Sequence, residues 1–122
     1  MKILIIDDST TMRRLLSSYV QCLNPATAEA ANGQEALEVL QEQGPFDLAL
    51  VDWDMPVMNG LDFVKAVRAD HQHDAMPMMM VTAQNSLESV TTALTHGAND
   101  YLMKPLTEEM VVDKLRVLGL YN

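Results

Sequence analysis

Apolar residues in this chain follow two rhythms. Short unbroken runs at residues 3–6, 48–51, 78–81 and 101–103 are too brief for helices and read as strands buried on both faces. Between them, apolar positions recur every three or four residues. Met12, Leu15, Leu16, Tyr19, Val20 and Leu23 form one such set, and Leu37 and Leu40 a second. Phe63, Val64 and Val67, then Leu87, Val90 and Leu94, then Val111, Leu115 and Leu118 complete the series. That spacing predicts five amphipathic helices. Asp8 or Ser9, Asn32 with Glu35, Asn59-Gly60, Ser86 and Thr107 stand where caps are needed, while Gly44-Pro45 and His96-Gly97 close the second and fourth helices. Pro77 opens the fourth strand, and the fifth runs over residues 99–103. The second strand, residues 25–31, is alanine-rich with poor β propensity and is placed by its position between two helices. Five strand–helix alternations with short connections require a parallel sheet covered on both faces by right-handed crossovers. The expectation is a three-layer α/β/α domain occupying residues 1–122.

Composition narrows the function. At 122 residues and 48% hydrophobic content the chain suits one domain with one core. Its net charge of -9 argues against nucleic-acid binding and against anionic membrane surfaces. No apolar stretch approaches the roughly 20 residues that span a bilayer, and no secretory segment follows Met1-Lys2, so a soluble cytoplasmic protein is expected. Cys22 is the single cysteine. It excludes an intrachain disulfide, and its place in an apolar helical pattern predicts a small buried side chain.

The chemistry lies where the strands end. Asp7-Asp8, Asp52, Thr82 and Lys104-Pro105 each follow an apolar run, so parallel strands would bring them to the sheet edge where open α/β folds collect ligands. Asp7-Asp8 alone reads as a helix cap; Thr82 alone reads as a strand-end residue, and Lys104 alone as a solvated charge. Together they differ. Carboxylates at 4 Å repel by roughly 1 to 4 kcal/mol per pair, depending on the local dielectric, and something must offset that cost. Mg²⁺ is suited to it, with Mn²⁺ as an alternative, because it takes hard oxygen ligands and keeps waters that phosphate oxygens can replace. A carboxylate is also a nucleophile toward phosphorus when charge on the transferring group is neutralised. Lys104 would supply charge and Thr82 a hydrogen bond.

Residues 5–9 (Ile-Ile-Asp-Asp-Ser), 11–14 (Thr-Met-Arg-Arg), 52–56 (Asp-Trp-Asp-Met-Pro) with Asn59-Gly60, 81–83 (Val-Thr-Ala), and Gly97-Ala98 through Tyr101 to Lys104-Pro105 carry a family pattern in order and spacing. Over essentially its whole length the chain resembles the receiver domain of bacterial two-component response regulators, and most closely the single-domain CheY-like chemotaxis type. The resemblance implies a flavodoxin-like receiver fold with strand order 2-1-3-4-5. It implies that Asp52 is the phosphoacceptor, taking a phosphoryl group from a histidine kinase or histidine phosphotransfer protein. Asp7, Asp8 and Asp52 would organise Mg²⁺, with Asp54 contributing its main-chain carbonyl. Thr82 and Lys104 would contact the phosphoryl oxygens, and Lys104-Pro105 would be cis. Thr82 and Tyr101 would act as the switch, altering a partner surface of Leu87, Val90, Leu94, Tyr101 and Lys114 on the fourth helix, fifth strand and fifth helix. The downstream target would be the flagellar switch or another effector, the protein would be a monomer, and it would catalyse only its own phosphorylation and dephosphorylation.

The chain also departs from the chemotaxis pattern. Asp54 stands for an asparagine and Gln84 for a glutamate, two positions that tune acyl-phosphate lifetime in this family. Leu87, Val90 and Leu94 form a more apolar stripe, readable as core cover or as a partner surface. Trp53 is expected to be exposed beside the acceptor. The methionines at 76, 78, 79 and 80 suit adaptable core packing, and the loop 70–74, with His71 and His73, has metal-capable side chains but no positioned third ligand. Two other readings stand beside the main one. Asp52-Trp53-Asp54 also fits the Asp-x-Asp of haloacid dehalogenase-type phosphatases, although Pro56 falls where that family has Thr or Val. An interaction module that works without phosphorylation is the other.

Overall fold

A computed structural model describes residues 1–83 and 86–122. Strands and helices alternate: β1 (Lys2–Ile6), α1 (Thr10–Tyr19), β2 (Ala26–Ala30), α2 (Gly33–Gln43), β3 (Leu48–Asp52), α3 (Gly60–Ala69), β4 (Met78–Thr82), α4 (Leu87–Thr95), β5 (Asp100–Met103) and α5 (Glu108–Val117). The strands form one parallel sheet in the order β2-β1-β3-β4-β5. This is the expected flavodoxin-like arrangement.

Successive strand residues point to opposite faces, and the three central strands are apolar on both. On one face Leu4, Ile6, Ala49, Val51, Met78 and Met80 pack with Ala36 and Leu40 of α2, Phe63, Val64 and Val67 of α3, and Ala93 of α4. On the other, Ile3, Ile5, Leu48, Leu50, Met79 and Val81 meet Leu16 and Val20 from the α1 end and Val111 and Leu115 of α5. The methionines therefore fill the core, as their run suggested. β2 looks weak in sequence because it is an edge strand with only Ala30 fully buried; its pairing with β1, from Lys2↔Ala26 to Ile6↔Ala30, is a main-chain affair.

The caps fall on the polar residues named. Ser9, rather than Asp8, accepts the Met12 N–H at 3.2 Å. Asn32, Asn59, Ser86 and Thr107 accept from Glu35, Asp62, Ser89 and Met110 at 2.9 to 3.2 Å. Each satisfies one of the donors that a helix start leaves unpaired. Gly97 ends α4 at φ +117, where a Cβ would also lie 2.5 Å from Arg68 Cγ. The fifth strand begins one residue later than expected, at Asp100.

The expectation for Cys22 is overturned. Cys22 is exposed, not buried. α1 stops at Tyr19 and a 3₁₀ turn, Gln21–Leu23, follows; at three residues per turn instead of 3.6 the phase shifts, leaving Leu23 against the core while Cys22 turns to solvent. A second 3₁₀ turn, His71–His73, follows α3. Among the described residues no helix is long and apolar enough to cross a membrane.

Candidate functional site

The carboxyl ends of β1, β3, β4 and β5 converge at the edge where strand order reverses around β1 and β3, the usual ligand position in such sheets. Asp7 directly follows β1 and is 1% exposed; Asp52 ends β3 at 6%, and Thr82 ends β4 at 2%. Lys104 follows β5, its N–H held 2.9 Å from the Thr82 carbonyl, and the Lys104-Pro105 bond is cis. Its Nζ lies 3.2 Å from Asp52 Oδ1 and 3.3 Å from Asp7 Oδ2. Side chains separated by up to 97 positions in sequence thus share one crevice.

Asp8 is exposed at the rim, and carboxylate oxygens of Asp7, Asp8 and Asp52 all lie within 4.8 Å of one another. The loop behind the acceptor is fitted just as closely. Gly60 donates its N–H to the Trp53 carbonyl at 2.9 Å, and a Cβ there would come within 2.1 Å of the Asp52 carbonyl oxygen. Glycine at the start of α3 lets the chain fold back against the acceptor.

Electrostatics follow from this crowding. Burial, then repulsion from Asp7, pushes the Asp52 carboxyl up to about 6, outweighing the attraction of Lys104; Asp8 adds a smaller push. For Lys104 burial is the largest single effect and acts downward, yet the carboxylates of Asp52 and Asp7 together outweigh it and hold the ammonium above its ordinary value. One lysine does not neutralise three acids. The donor set is all oxygen, partly open to solvent and short of positive charge, so it fits a hard divalent cation that keeps part of its water shell.

Other residues singled out in the sequence are placed as follows. Asp54 is exposed and its carboxylate lies outside the acidic cluster. Gln84 lies outside the described residues. Trp53 is half-buried, packed against the α2–α3 side of the core, and not exposed as expected. Tyr101 is half-buried, with Lys114 Nζ 5.5 Å from its ring centroid and 2.8 Å from Asp100 Oδ1. On α4, Leu87 is 82% and Leu94 41% exposed, Val90 is half-buried, and Ala93 is the residue that enters the core. Most of the apolar stripe is therefore surface. His71 pairs with Asp74 at 3.2 Å, and neither loop histidine joins a group of three potential metal ligands; among the described residues the acidic trio is the one such group.

Sequence reading missed Arg13 as a site residue. Its guanidinium bonds the Asp7 carbonyl at 2.6 Å and Glu29 at 2.9 Å. The signals available were its place in the Thr-Met-Arg-Arg stretch at residues 11–14 and its position five residues beyond the acid pair, which puts an arginine on the first turn and a half of the following helix.

The chain belongs to the response regulator receiver domain family, whose model matches residues 3–116. It is a CheY-like member of two-component signalling. It is 41% identical over 119 residues to the chemotaxis protein CheY1 of Helicobacter pylori, covering 97% of this chain and 96% of the relative. It is 41% identical over 116 residues to the chemotaxis protein CheY of Pseudomonas aeruginosa, covering 94% and 93%. The structure of the chemotaxis response regulator CheY4 of Vibrio cholerae superposes with a TM-score of 0.88 at 36% identity, covering 96% of this chain and 97% of that one.

Proposed function

We propose that Asp52 accepts a phosphoryl group from the phosphohistidine of a histidine kinase or histidine phosphotransfer protein. The observation that carries this reading is the meeting of Asp52, Lys104 and the acid pair at one sheet edge. One Asp52 oxygen is tied to Lys104, and the other attacks phosphorus as the phosphorus–nitrogen bond breaks and its electron pair leaves with the imidazole. With its carboxyl at about 6, Asp52 is roughly nine-tenths ionised at pH 7, so the nucleophile is available and more basic than an ordinary aspartate. Lys104 moves with the charge onto the phosphoryl oxygens, and the Thr82 hydroxyl donates to another of them.

Asp7, Asp8, Asp52 and the Asp54 carbonyl would hold Mg²⁺, or Mn²⁺ in its place. When bound, the ion neutralises charge on the phosphoryl oxygens. Water later cleaves the acyl phosphate, returning the carboxylate and inorganic phosphate. The chain in this reading catalyses only its own phosphorylation and dephosphorylation and is not a metabolic enzyme. Asp54 and Gln84 set the lifetime of the modified state.

Thr82 and Tyr101 transmit the change by biasing a pre-existing equilibrium. The output face comprises Leu87, Val90, Leu94, Tyr101 and Lys114, and the exposure of Leu87 and Leu94 supports it. The downstream target is the flagellar switch or another effector, in keeping with relatives named as chemotaxis proteins. The protein acts in the cytoplasm as a monomer, without nucleic acid or membrane. Intact-mass spectrometry after acetyl phosphate tests the core of this. One phosphoryl group should appear with MgCl₂, none with EDTA and none on Asp52→Asn, and phosphomonoesters should not be turned over. Equal labelling of Asp52→Asn would refute the assignment.

A further inference from the structure

Arg13 lies early in α1, yet its guanidinium touches three segments. Nη1 donates to the Asp7 carbonyl at 2.6 Å, Nε to Glu29 Oε1 on β2 at 2.9 Å, and Nη2 to Thr10 Oγ1 at 3.2 Å. The side chain is 16% exposed while Glu29 is 47% exposed. Asp7 is consequently held on every side. Its N–H donates to the Ala30 carbonyl at 3.1 Å, its Oδ1 accepts the Ser9 N–H at 2.9 Å, and its Oδ2 takes Lys104 Nζ at 3.3 Å.

The carbonyl that Arg13 grips belongs to the peptide joining Asp7 to Asp8. That unit is planar and runs from the Asp7 Cα to the Asp8 Cα, so fixing its oxygen fixes the plane and with it the point from which the Asp8 side chain starts. We propose that Arg13, braced by Glu29, is a positioning residue for divalent-cation binding: it holds the Asp7–Asp8 peptide so that both carboxylates meet the same ion. The proposal rests on the reading of the acidic trio as a cation site.

Two effects of opposite sign compete here. A guanidinium near the trio repels a cation, whereas groups that orient metal ligands are typically worth ten- to a hundredfold in affinity. Glu29 decides between them. Its carboxylate offsets the guanidinium charge and leaves the hydrogen bond to Asp7 in place, so orientation prevails over repulsion. Simple removal of a nearby positive charge would strengthen binding; loss of positioning weakens it.

MgCl₂ titrations followed by Trp53 fluorescence and by calorimetry test the proposal, with melting in EDTA as a separate measure of fold. Arg13→Met should bind Mg²⁺ about tenfold more weakly than the wild type. Arg13→Lys, which can keep one of the bonds, should recover part of the loss, and it decides the matter if Arg13→Met fails to fold. Glu29→Gln should weaken binding by a factor that narrows as NaCl screens the uncompensated guanidinium. Wild-type or tighter Mg²⁺ binding by folded Arg13→Met, or by Arg13→Lys in its place, overturns the proposal. A wild-type chain that binds no Mg²⁺ instead refutes the cation-site reading beneath it.

Discussion

Replacing Asp52 with asparagine should stabilise the fold. The substitution keeps the shape of the side chain and removes a negative charge that is 6% exposed beside Asp7. The folded state raises this carboxyl from 3.8 to about 6, and each pKa unit corresponds to about 1.4 kcal/mol. The difference, near two units, makes the ionised Asp52 cost up to about 3 kcal/mol at neutral pH. The sign follows from the direction of the shift. A raised acid binds its proton more tightly when folded, so its stabilising contribution is complete below pH 4 and is lost as pH climbs through about 6. Lys104 already counts within that balance as an opposing attraction. Asparagine offers Lys104 a poorer partner, which trims the expected gain to about 1 to 3 kcal/mol, or roughly 4 to 10 °C for a chain of this size. Thermal melts of both proteins in EDTA near pH 4.5 and pH 7.5, followed by circular dichroism, give the comparison. The gap between variant and wild type should open with rising pH. A gap independent of pH, or a variant less stable than wild type at pH 7.5, would refute the reasoning.

Three further outcomes are expected. Mg²⁺ at ten times its dissociation constant should stabilise the wild type by about 1.4 kcal/mol, and Asp8→Asn should lose most of that gain in the same melting assay. Lys104→Met leaves Asp7 and Asp52 buried without their ammonium, so denaturant unfolding at pH 7 should show a loss of about 3 kcal/mol or more, partly recovered by acidification. Val57 occupies the left-handed region at φ +69 with its side chain 83% exposed, a conformation that costs a β-branched residue about 1 to 2 kcal/mol. Val57→Asn, which tolerates that backbone, should raise the urea midpoint by roughly 1 kcal/mol of stability, and an unchanged or lower midpoint would contradict the strain.

Much of this fold and site is readable from local pattern because local and tertiary demands agree. The central strands are apolar on both faces and the helix caps are satisfied within three residues, so periodicity and capping chemistry suffice to place them. The site residues are legible for the same reason: each stands at or just beyond the polar end of an apolar strand, and a parallel sheet aligns strand ends. What the pattern misses depends on contacts distant in sequence or on small changes of phase. β2 is held by its neighbour's backbone, which alanine side chains do not announce. Cys22 leaves the core because α1 tightens into a 3₁₀ turn. Trp53 is half-covered because its side chain packs against core residues brought from other elements. Arg13 is bound to the site through a main-chain carbonyl, and such bonds leave no mark on the spacing of side chains. The pKa of Asp52 is likewise a property of the assembled crevice, set by burial and by Asp7 across the sheet.

The central claim is that side chains from four strand ends make Asp52, and no other residue, a Mg²⁺-dependent acceptor of phosphoryl groups. Borohydride reduction of the chain treated with acetyl phosphate converts an acyl phosphate to an alcohol, which peptide mass mapping then locates. The account predicts reduction at Asp52 alone, dependent on Mg²⁺ and abolished by Asp7→Asn with Asp8→Asn. Reduction at Asp7, Asp8 or Asp54, or trapping at Asp52 undiminished in EDTA, would contradict it.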